Sequence, residues 1–142
     1  MSLYTQLQQR AADKKPIRVG LIGAGKFGSM YLSQVVRTPG VHLVAIADLN
    51  PAGAKKNLAR VGWTPQQSAA TSAASALRDG NTWITDDWQA LVKLPEIEIV
   101  VECTGSPVHA VDHILAAIAE HKHVVNVTVE ADAFCGPLLA RR

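Results

Sequence analysis

The stretch Arg18–Val36, RVGLIGAGKFGSMYLSQVV, decides how this chain is read. Just before and within it, Ile17 to Ile22 is almost continuously apolar and rich in Val, Ile and Leu, as a strand covered on both faces requires. From Lys26 the spacing changes: Phe27, Met30, Tyr31 and Val35 recur at helical offsets until Thr38–Gly40 stops the run. Gly23, Gly25 and Gly28 lie between the two patterns. A Gly-x-Gly-x-x-Gly sequence is weak evidence alone, but here it follows a buried strand and opens a helix.

Each glycine then has a mechanical task. Gly23 permits the tight turn, Gly25 lets the backbone approach a pyrophosphate, and Gly28 lets the helix lie close on the strand. The free N–H groups at the helix start, from Gly25 through Lys26 and Phe27, face the phosphates where the helix dipole favours negative charge. An acid at the end of the second strand is the independent requirement, because it accepts hydrogen bonds from the adenosine ribose. Asp48 stands 20 positions beyond Gly28, at the end of the apolar run Leu43–Ala47, with Leu49 beside it. These residues point to a dinucleotide. A carboxylate at 48 repels a 2′-phosphate and no arginine follows at 49 or 50, which favours NAD over NADP; Lys55, Lys56 and Arg60 could still serve NADP, and FAD is a third option.

Outward from this unit the chain alternates strand and helix. Pro51 to Gly62 reads as a short helix, Ser72–Arg78 as another, and Thr82–Ile84 as a short strand. Asp86 or Asp87 can cap a helix holding Trp88, Leu91 and Val92, which Pro95 ends; Ile97–Val101 is a further buried strand. Ser106 as cap and Pro107 in the first turn open the clearest helix, with Val111, Ile114, Leu115 and Ile118 on one face. A fifth strand follows at His123–Val129, and ADAFCGPLLARR begins a further element. The expected fold is α/β: a doubly wound parallel sheet, with residues 1–15 a polar arm and 16–142 a Rossmann-type dinucleotide-binding domain.

Ligands of such sheets lie across the carboxyl ends of the strands, so the turn Glu102–Pro107 offers Thr104, Gly105 and Ser106 to the nicotinamide half. His109 and His113 stand one helical turn apart without a third ligand, so no metal site is assigned. Cys135 lacks a partner base, and Glu130 and Asp132 read as solvated loop carboxylates.

With 142 residues, 48% of them hydrophobic, one core is expected. The 14 basic and 12 acidic side chains are interspersed, which excludes a nucleic-acid or membrane-surface binder built on a block of charge. Two cysteines give no disulfide scaffold, and no signal peptide or membrane span is apparent, so a cytoplasmic protein is expected.

Taken together, PIRVGLIGAGKFGSMYLSQV, AIADLNP, VVECTGSP and KHVVNVTVEADAFCGPLLA resemble the N-terminal coenzyme domain of the homoserine-dehydrogenase-like oxidoreductases. Within that group they look most like the branch of deoxyxylulose phosphate reductoisomerase-like enzymes, often fused to a SAF-type domain. The resemblance implies a nicotinamide coenzyme, NAD or NADP, and hydride transfer at a carbonyl or alcohol carbon. It also implies a small-molecule substrate held by a further domain beyond Arg142, and allows a homo-oligomer. True homoserine dehydrogenases carry a lysine shortly after the fifth strand, where this chain reads NVTVEAD. A sugar-phosphate reductoisomerase and a non-catalytic coenzyme-binding or sensing module are the alternative readings.

Overall fold

The computed structural model describes residues Met1–Arg142. Five parallel strands form one sheet in the order β3-β2-β1-β4-β5. They are β1 (Ile17–Ile22), β2 (Val41–Ala47), β3 (Trp83–Thr85), β4 (Ile99–Glu102) and β5 (His123–Asn126). β1 therefore lies between β2 and β4, and the chain leaves it first to one side and later to the other. Ile22 is level with Ala47 and with Glu102, so the carboxyl ends of the three central strands finish together. This is the α/β Rossmann arrangement expected from the alternation of patterns, with its switch point between β1 and β4.

Apolar periodicity explains which helix covers which face. α2 (Lys26–Val35) and α3 (Pro51–Arg60) cover one face, where Leu32, Val35, Ala54 and Leu58 meet Val19, Leu21 and Leu43. The second face carries α4 (Ala73–Asp79), α5 (Trp88–Val92) and α6 (Pro107–Ala119), which bring Ala76, Leu91, Val92 and Ala117 onto Ile22, Val44 and Val100. Trp63 seals the first layer and donates its indole N–H to Leu32 O at 2.8 Å. Over β4 and β5 that first face is bare: a hollow of about 380 Å³ is lined only by apolar residues, including Ile99, Val125 and Val127.

Several boundaries differ from expectation. The polar arm is helical: α1 (Leu3–Ala12) starts at Ser2, whose hydroxyl accepts from Thr5 N–H. Ile97 lies before β4 in the turn after Pro95, and β3 is displaced by one residue toward Thr85. β5 ends at Asn126 rather than Val129, because Thr128 is already the N-cap of α7 (Val129–Leu139), the element begun by ADAFCGPLL. A short 3-10 turn at Pro65–Ser68 precedes α4, closed by Thr64 N–H donating to Gln67 Oε1.

Candidate functional site

The glycine turn meets all three of its mechanical requirements. Gly23 has φ +96°, and a Cβ there would lie 2.7 Å from Cys103 O, so a side chain is excluded by both conformation and space. A Cβ on Gly28 would lie 2.6 Å from Gly23 O, which ties the first turn of α2 to the end of β1. Gly25 is the opposite case. A Cβ there would meet nothing, so the space above it is free for a ligand. Gly25 is also the N-cap of α2 without a side-chain cap, and the amides of Gly25, Lys26 and Phe27 donate to no group of the fold. Unpaired amides at a helix start, over open space, form a cradle for an anion.

Lys26 and Phe27 contribute to that cradle through their backbone. The Phe27 ring, 57% exposed, borders the apolar hollow on the far side of α2.

Asp48 is held in place by the turn it serves. Ala24 N–H donates to its Oδ2 at 2.8 Å, and Asn50 N–H donates to Oδ1 at 2.8 Å. The carboxylate therefore bridges the glycine turn and the start of α3 while each oxygen keeps a further acceptor site. Asp48 and Leu49 line a cleft of about 320 Å³ with Gly23, Gly25 and Thr104, at the switch point of the sheet. A roomier hollow of about 640 Å³ lies against the β3 edge, between Lys55, Trp63 and Trp83, but it contains none of the turn residues. The glycine turn and Asp48 face the smaller one.

Of the three residues expected at the second turn, Thr104 reaches the cleft and Gly105 and Ser106 do not line it. Gly105 has φ +72°, and its N–H donates to Thr128 Oγ1 at 3.0 Å. Ser106 occupies the N-cap position of α6 but makes no side-chain cap; its hydroxyl pairs instead with His109 Nδ1 at 2.8 Å.

The organising group of this wall is Glu102, which is 0% exposed. Its Oε1 accepts from Thr104 Oγ1 at 2.6 Å and from His113 Nδ1 at 3.2 Å, and its Oε2 accepts from the Thr128 hydroxyl. Burial pushes the Glu102 carboxyl up, and the hydrogen bonds from His113, Thr104 and Thr128 more than reverse this, holding it below the usual carboxylate range. The adjacent Cys103 thiol is pushed up to about 11 by burial and by the Glu102 charge, so it stays protonated at neutral pH. Glu102, Asp86, Trp88 and His113 were not among the residues that the sequence singled out for this site. The one available signal was an acid inside the otherwise apolar VVECTG run, at the level of the other strand ends.

His109 and His113, one turn apart, take different partners. His109 is exposed and bound to Ser106, whereas His113 is buried and bound to Glu102. No group of three His, Cys, Asp or Glu side chains is placed to hold a metal ion. Cys135 lies on α7 with its thiol donating to Ala131 O at 3.3 Å. No helix is long and apolar enough to cross a membrane.

Comparison with known proteins agrees with this geometry. Residues 17–126 match the model of the GFO/IDH/MocA family, described as an oxidoreductase family, NAD-binding Rossmann fold. An inositol 2-dehydrogenase of Acidothermus cellulolyticus is 34% identical over 116 residues, which cover 80% of this chain and 28% of that protein. Among solved structures, myo-inositol dehydrogenase from Lactobacillus casei in complex with NAD(H) and myo-inositol superposes with a TM-score of 0.58 at 19% identity, covering 78% of this chain and 28% of that one. An NAD binding oxidoreductase from Klebsiella pneumoniae gives 0.55 at 25% identity, covering 78% and 27%. The chain thus spans a little over a quarter of the length of these relatives. The coenzyme domain of an oxidoreductase, which the resemblance implied, stands; the narrower homoserine-dehydrogenase placement gives way to inositol dehydrogenases and related oxidoreductases. By its glycine turn, its strand order and its match over residues 17–126, this chain belongs to the GFO/IDH/MocA oxidoreductase family.

Proposed function

We propose that the chain is the coenzyme domain of an NAD-dependent dehydrogenase acting on a polyol or cyclic sugar alcohol, of the kind named in its 34% identical relative. The observation that carries the coenzyme is the combined state of Gly25 and Asp48: open space over unpaired amides, beside a carboxylate pinned to face the same cleft. In this reading the amides from Gly25 to Phe27 hold the pyrophosphate, and the free acceptor sites of Asp48 hold the ribose hydroxyls. Bound nicotinamide would supply the hydride acceptor, and Glu102 fixes Thr104 at the cleft wall. The substrate is held by residues beyond this domain.

NAD is favoured over NADP by the surroundings of Asp48. None of the basic side chains of α3 lines the cleft, and Lys55 turns to the hollow at the β3 edge. A 2′-phosphate would therefore meet a carboxylate with no cation to offset it. Calorimetric titration with NADH and NADPH tests this, with Asp48→Asn as the comparison, because asparagine keeps an acceptor for one of the two amides. NADH binding more tightly than NADPH, with the gap narrowing in the variant, is the expected result. Equal affinities in the native chain would refute the NAD preference, and no binding of either by the folded chain would refute the site.

A further inference from the structure

One buried polar side chain in the cleft has no part in the coenzyme contacts above. His113 sits on the inner face of α6 with its side chain 8% exposed, yet its ring lines the cleft that Asp48 and Leu49 line. Nδ1 is committed to Glu102 Oε1 at 3.2 Å. A carboxylate can only accept, so Nδ1 carries the hydrogen that bonds Glu102, and an imidazole with its single ring hydrogen there presents a lone pair at Nε2. Nε2 meets no partner in the fold. Trp88 stands edge-on to the ring, with centroids 4.5 Å apart, and together with Glu102 it fixes the ring plane.

The cleft thus presents one nearly buried, oriented acceptor on the wall of the same cleft that holds the ribose-binding carboxylate. Its other titratable wall groups are less suited to reading a base: Asp86 is exposed, and His109 is exposed and paired with Ser106. A ribose joins a phosphate and a base, and with the phosphates at the Gly25–Phe27 amides the group left for this wall is the base. We infer that His113 Nε2 accepts a hydrogen bond from the exocyclic amino group of adenine, so that the cleft selects an adenine dinucleotide over its hypoxanthine counterpart. This rests on the coenzyme reading above. Hypoxanthine carries an oxygen acceptor where adenine carries the amino donor, so two acceptors would face each other and neither would be satisfied.

The test is titration of the whole chain, at pH 8.5, with NADH and with reduced nicotinamide hypoxanthine dinucleotide. NADH should bind about tenfold more tightly, the cost of leaving a buried acceptor unpaired. His113→Phe keeps a ring against Trp88 and removes the acceptor, and should bring the two ligands to within about twofold of each other. Equal binding by the native chain overturns the inference and leaves the coenzyme reading intact, whereas binding of neither overturns both. A second measurement needs no variant: imidazole nitrogen NMR of the native chain should find the His113 hydrogen on Nδ1, and finding it on Nε2 also overturns the inference.

Discussion

Replacing Glu102 separates a buried charge from the groups that justify it. In the native chain four donors converge on this carboxylate: the Thr104 hydroxyl and amide, the Thr128 hydroxyl and the His113 ring. Glu102→Ala removes every acceptor at once and leaves a small cavity under α6, where His113 and Thr128 are buried. Unpaired buried donors cost about 1–3 kcal/mol each before relaxation, and relaxation toward the open cleft spares Thr104, so we expect a loss of about 3–4 kcal/mol. Glu102→Gln keeps the shape and one acceptor oxygen, and should lose about 1–2 kcal/mol. Urea unfolding followed by tryptophan fluorescence measures both, since Trp88 contacts His113. The two variants also differ in pH response. Because the folded carboxyl titrates below its ordinary value of 4.5, its contribution is complete above that value and is lost as pH falls through the folded one. Native stability should therefore fall in the acid range by an amount that Glu102→Gln does not show. A Glu102→Ala loss under about 1 kcal/mol, or identical acid profiles for native and Gln chains, would refute this account.

Four further outcomes are expected. Gly25→Val should abolish NADH binding in calorimetry while leaving the melting temperature within a few degrees of native, because its side chain fills only open space. Gly28→Ala, with its Cβ 2.6 Å from Gly23 O, should instead lower the melting temperature markedly. Trp63→Phe removes the buried hydrogen bond to Leu32 O and should cost about 1–3 kcal/mol in urea unfolding. Gly40→Ala combines φ +74° with a Cβ 2.1 Å from Leu7 O; it should displace α1, seen as faster amide exchange in residues 6–12.

What the sequence revealed, and what it hid, follows from where each signal resides. β1, β2 and α6 were legible because burial writes itself into local composition: unbroken Val and Ile runs, or a four-residue apolar spacing. α1 has no buried residue and hence no apolar stripe, and its seat against Gly40 is a tertiary contact invisible to periodicity. The extent of α7 was not legible, because the helix runs through Gly136 and Pro137, two residues of low helix propensity, and Pro137 has no N–H to donate within it. The glycine turn and Asp48 were legible as a candidate site because their spacing answers a fixed geometry. The Glu102 cluster was not, since its members are separated by as many as 26 positions and only the fold brings them together.

Thr128 joins the cleft wall to the last helix. It accepts from the Gly105 amide, donates to Glu102, and is the residue on which α7 begins. The cleft wall and the root of the final helix are therefore tied to one carboxylate. The direction in which α7, 11 residues long, leaves the sheet is thus set from a residue that also ties down the cleft wall.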